Sequence, residues 1–130
     1  MNAMIRSDCR YQTEWRRQYA CRIAREMDMK GFGVEAVYLF GSVEACAAGL
    51  GSDIDLIIHL EEYSQPGKEL ITWFREWEER LLLIAREYTD EKLPYILDLH
   101  FVNQHDIETC SSYAVKMKSL YEPPELLREN

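Results

Sequence analysis

The chain has 130 residues, 15 of them basic and 23 acidic, giving a formal net charge of −8, with 47% apolar and 12% aromatic residues. That length suits one domain with its own core, and the apolar content excludes a disordered chain. An acidic whole argues against bulk nucleic-acid binding and against a polybasic membrane attachment.

Residues 9–30 read as an amphipathic helix. Tyr11, Trp15, Tyr19, Ile23 and Met27 recur at i,i+4 with Ala20 and Ala24 beside them, and Arg16, Arg17, Arg22 and Arg25 fall mainly between. This is the one basic region: residues 1–30 hold seven Lys/Arg against four Asp/Glu, whereas 31–130 hold eight against nineteen. Gly31 and Gly33 are expected to end the helix. Val34–Phe40, β-branched and aromatic, predicts a short strand. Gly41-Ser42 interrupts it, and Ser42 is expected to cap a short helix over Val43–Ala48. After the turn Gly49-Leu50-Gly51-Ser52, Asp53–Leu60 predicts a second strand with Ile54, Leu56, Ile58 and Leu60 on one face.

Gln65-Pro66-Gly67 breaks the chain before a long helix over about Lys68–Tyr88. Its core stripe is Leu70, Trp73, Phe74, Trp77, Leu81, Ile84, Ala85 and Tyr88, and exposed parts of it could form an oligomer or partner interface. Pro94 precedes a third strand, Tyr95–Val102. A short helix from about Asp106, an extended Lys116–Tyr121 and a polar end after Pro123-Pro124 complete the chain. The fold class is therefore α/β (α+β): one domain over residues 1–130, with a short mixed sheet of three to four strands flanked by helices. The 12-residue connection between the first two strands leaves their relative direction open.

No stretch approaches the apolar length of a membrane span, and the start lacks the apolar core of a secretory signal, so a cytoplasmic location is expected. Cys9, Cys21, Cys46 and Cys110 lie far apart with no C-x-x-C pair, which removes zinc spacing. They are expected to be reduced packing residues.

The chemistry concentrates in Phe40-Gly41-Ser42, ten residues, then Asp53-Ile54-Asp55. A Gly-Ser turn opening a helix offers backbone N–H groups and a hydroxyl to a phosphate, and glycine lets the ligand approach closely. Asp53 and Asp55, two apart on a strand, point to one face and repel unless a cation joins them. All-oxygen ligands favour Mg²⁺ or Mn²⁺. Asp98, between Leu97 and Leu99 on the third strand, can complete a three-carboxylate cluster if the second and third strands are neighbours. Such a cluster can hold two metal ions for in-line displacement on phosphorus.

These residues, with Leu97-Asp98-Leu99 and the closing Ser119-Leu120-Tyr121-Glu122, resemble the polymerase-β-type nucleotidyltransferases, and most of all the minimal, antitoxin-like members. The resemblance covers about 34–122. It implies transfer of a nucleoside monophosphate from an NTP, usually ATP, with pyrophosphate released. It assigns the triphosphate to Gly41 and Ser42, both metals to Asp53 and Asp55, and the metal nearer the acceptor to Asp98, which also activates the acceptor hydroxyl. Many stand-alone members resemble antitoxins that adenylylate a tyrosine of a helical ribonuclease toxin. One departure stands out. Val43–Ala48 lacks the Arg that commonly follows the Gly-Ser, and Glu44 is there instead. An arginine of the first helix could replace that cation, or the arginines could dock an acidic partner.

Among other candidates, His59 shares the face of Asp53 and Asp55, and His100 that of Asp98; each could contact substrate or support a ligand. His105 reads as a surface residue, and Lys116 and Lys118 could reach a phosphate. Adenylylation of a protein partner leads. Transfer to a small-molecule hydroxyl such as an antibiotic, and a non-catalytic partner-binding module that keeps the fold, are the alternatives; homo-oligomerisation is open.

Overall fold

A computed structural model describes residues 7–109 and 123–130. Helix α1 spans Cys9–Glu26, and Asp8 caps it by accepting from the Arg10 N–H. It does not run on to Lys30. Met27 is extended, and the Asp28 carboxylate accepts from the Gly31 N–H, starting a separate four-residue helix, α2 (Met29–Phe32). Gly33, at φ 69°, ends α2 in the left-handed region that favours glycine.

Then follow β1 (Val34–Phe40), α3 (Gly41–Glu44), β2 (Ile54–Leu60), α4 (Lys68–Thr89), β3 (Leu97–Val102), α5 (Gln104–Thr109) and β4 (Glu125–Glu129). The sheet order is β3-β2-β1-β4, with β1 antiparallel to β2 and to β4, and β2 parallel to β3. This is the expected mixed sheet flanked by helices. The direction left open is settled: the β1–β2 connection holds one short helical turn, and the parallel crossover is made by α4.

The even-numbered apolar residues of β2, with Val37 and Leu39 of β1, pack against Trp15 and Ile23 of α1 and Phe74, Trp77 and Leu81 of α4. Trp15 stacks on Tyr88 at 4.9 Å, tying α1 to the end of α4. The opposite sheet face carries a smaller cluster, Ile57 and Val102 with Tyr38, Phe40 and Ile107. By the period-two alternation of strands, Asp55 and Asp98 belong to this second face.

Several expectations change. The polar end contains β4, an edge strand held by backbone pairing to β1 and by Arg128, whose Nη1 donates to the carbonyls of Ala24, Arg25 and Met27 at 2.8–2.9 Å. Its sequence, Glu-Leu-Leu-Arg-Glu, has little apolar alternation to announce a strand. The third strand starts at Leu97, because the Glu78 carboxylate takes the N–H groups of Ile96 and Leu97. Cys9, Cys21 and Cys46 are free as expected but exposed, not packing residues. Trp77 is buried, as its place in the core stripe predicts, with the Arg80 guanidinium over its ring at 4.1 Å. Cys110, Lys116–Tyr121 and the closing Ser119–Glu122 lie outside the described residues. Among the described residues, no helix is long and apolar enough to cross a membrane.

Candidate metal and nucleotide site

Strand register puts Phe40, Asp55 and Asp98 side by side in one row across β1, β2 and β3, with Tyr38, Ile57 and His100 in the next row on the same face. Ligand atoms of Asp55, Asp98 and His100 all lie within 4.8 Å of one another. The His100 Nε2 is 3.2 Å from Asp98 Oδ1, and its ring meets the Phe40 ring edge-on at 5.4 Å. Asp98 is not deeply buried: β3 is an edge strand, and the Asp98 side chain is 42% exposed against 15% for His100. Solvent access lowers the cost of the charge and leaves room for a ligand.

Gly41 completes this corner. Its φ of 77° is left-handed, and a Cβ there would collide with the Asp55 carboxylate, standing 2.9 Å from Cγ. Glycine is required twice over, once for conformation and once for closeness. Ser42 is the second residue of α3, so it is not the cap; Phe40 holds that position. The Ser42 carbonyl accepts from the Ala47 N–H at 2.8 Å, which folds the chain back after one turn.

Asp53 precedes β2 and stands outside the 4.8 Å group. It is nevertheless coupled to it. Burial, and then the Asp98 charge, push the Asp53 carboxyl above its ordinary range, with Arg16 opposing and Glu78 adding to the rise. The donor chemistry fits a divalent cation. Two adjacent carboxylates with a third close by suit Mg²⁺, and an imidazole nitrogen within reach also suits Mn²⁺.

Of the other candidates, His59 lies towards the far end of β2, lining a pocket with Glu35, Tyr38, Glu61 and Glu129, away from Asp55. His105 is exposed on α5, as expected. Lys116 and Lys118 lie outside the described residues. Arg17 donates to Glu125 and, at 3.4 and 3.5 Å, to the Val43 and Glu44 carbonyls, while Arg22 pairs with Glu26.

Sequence reading passed over Glu78 and Gln12. Glu78 carries no signal, being one of many acids on a long helix. Gln12 does: with Arg16, Ala20 and Ala24 it forms an i,i+4 row of residues that are all buried.

Adjacent carboxylates beside a glycine turn on a sheet face form a site suited to chemistry at phosphorus. The chain belongs to the family described as polymerase beta, nucleotidyltransferase, whose model matches residues 23–125. Its chemistry is accordingly nucleotidyl transfer, with a nucleoside triphosphate as substrate. Among solved structures, a protein from Sulfolobus solfataricus provisionally described as a nucleotidyltransferase is similar at 14% identity and a TM-score of 0.44, over 78% of this chain and 80% of that one. No curated protein matches the chain significantly.

Proposed function

We propose that this single-domain, cytoplasmic protein transfers AMP from ATP to a hydroxyl of another protein, a tyrosine of a helical ribonuclease toxin encoded beside it. The observation that carries the catalytic part is the Asp55–Asp98 pair across β2 and β3, closed on one side by Gly41. Asp53, Asp55 and Asp98 would hold Mg²⁺, two ions or their Mn²⁺ equivalents, which would neutralise the triphosphate and polarise the reacting phosphorus.

Asp53 and Asp55 hold the nucleotide side of the site, and Asp98 faces the acceptor. Gly41 and Ser42 receive the triphosphate in the α3 turn. As the acceptor oxygen bonds to the α-phosphorus, its proton passes to Asp98 and the bond to pyrophosphate breaks. His100 Nε2 lies beside that carboxylate, 3.2 Å from Asp98 Oδ1.

Incubation with α-labelled ATP, Mg²⁺ and the product of the neighbouring gene tests this reading. Label should appear on a tyrosine of that protein with the wild type and not with Asp98→Ala. Label on a small-molecule acceptor instead, or partner binding with no transfer at all, would replace it.

A further inference from the structure

Arg16 lies outside the span that matches the family, yet it is fully buried and close to the site. Its guanidinium donates from Nε to the Ser52 carbonyl at 2.9 Å and from Nη2 to the Leu50 carbonyl at 2.9 Å. The remaining nitrogen, Nη1, donates to the Gln12 carbonyl at 2.9 Å and to Gln12 Oε1 at 2.6 Å. Gln12 is itself held, its Oε1 accepting from the Trp15 indole and its Nε2 donating to the Tyr88 carbonyl. The Trp15 ring lies under the guanidinium, 4.4 Å from centroid to Cζ.

Neighbours on the same face of α1 grip the same loop. Thr13 Oγ1 accepts from the Ala48 N–H, and Arg17 reaches the Val43 and Glu44 carbonyls. A buried guanidinium is costly unless its donors are satisfied. Here they are satisfied by two carbonyls of the turn that delivers Asp53 and by Gln12, and not by a carboxylate.

We propose that Arg16 is a positioning residue for Asp53: it clamps the Leu50–Ser52 backbone against α1 and so fixes where Asp53 meets the cation. The assignment rests on the reading of Asp53 as a metal ligand. It also answers the basic first helix in a way the sequence did not suggest, since Arg16 acts from behind the loop and not as a substitute phosphate ligand. A planar fork serves the two carbonyls together; lysine, with one nitrogen on a flexible stem, serves them less well.

The test is Mn²⁺ affinity, from the free-ion paramagnetic resonance signal, for wild type, Arg16→Met, Arg16→Lys and Asp53→Asn, each below its melting transition. Amide hydrogen exchange over residues 50–54 is read alongside. Asp53→Asn is expected to weaken Mn²⁺ by tenfold or more, and Arg16→Met by about tenfold with faster local exchange, with Arg16→Lys between it and wild type. Loss of global stability alone would not move affinity measured on folded protein. Arg16→Met binding Mn²⁺ within about twofold of wild type, while Asp53→Asn is weakened, would overturn the assignment. Wild-type binding by Asp53→Asn would instead remove the metal reading beneath it. If Arg16→Met does not fold, Arg16→Lys decides: weakened binding supports the clamp, and wild-type binding overturns it.

Discussion

At Gly41 two independent requirements meet, a left-handed backbone and a carboxylate where a Cβ would be. Gly41→Ala should therefore cost about 1–2 kcal/mol from the backbone alone, displace Asp55, and abolish transfer; a Tm and a transfer assay on the same preparation check both. Asp53 gives a second prediction, with its sign set by linkage. Its folded pKa lies above its unfolded one, so the metal-free protein loses stability as pH rises from the ordinary carboxylate range through the raised value. Asp53→Asn should accordingly raise the metal-free Tm at pH 7, with the difference shrinking towards pH 4, and should reduce the Tm gain that Mg²⁺ gives the wild type. A lower metal-free Tm at pH 7 would contradict the stated balance of burial and charge. At this scale the sequence was informative: Gly41, Asp55 and Asp98 were legible from spacing and residue type. The nearness of His100 to Asp98 was only half visible, because same-strand parity gives a face but not a distance.

Each of the two strands bearing the site is held at its start by a helix side chain. Arg16 of α1 holds the turn before β2, and Glu78 of α4 accepts from Ile96 and Leu97 at 2.7 and 2.8 Å at the head of β3. Glu78→Ala leaves both N–H groups without that partner. It should cost about 1–3 kcal/mol for each one that water does not reach, and it should lower transfer by moving Asp98. Denaturant unfolding and a transfer assay measure the two effects. At the other edge, Arg128 closes the end of α1, and Arg128→Ala should free β4 first, seen as faster amide exchange at Glu125–Glu129 with the β2–β3 amides unchanged. These anchors explain what the sequence concealed. Apolar periodicity reports burial, so the core-facing parts of α1, α4, β1 and β2 could be read. A charged edge strand such as β4, and a buried arginine whose partners are backbone carbonyls, leave almost no apolar pattern.

Across the whole molecule, the sheet divides the work. One face packs on α1 and α4 and supplies the core, while the other presents Asp55, Asp98 and His100 beside Gly41. The uneven charge follows from this division. Part of the acidic excess gathers in a cluster whose donor chemistry fits a divalent cation, and Arg16 of the basic first helix is turned inward onto the Leu50 and Ser52 carbonyls. Family membership and the acidic pair agree on nucleotidyl transfer. The most direct check is calorimetric titration of ATP into wild type and the Asp55→Asn/Asp98→Asn double variant, with Mg²⁺ and with chelator. Saturable binding by the wild type, lost on chelation and absent from the double variant, is the predicted result; equal binding by both proteins, or binding indifferent to Mg²⁺, would contradict it.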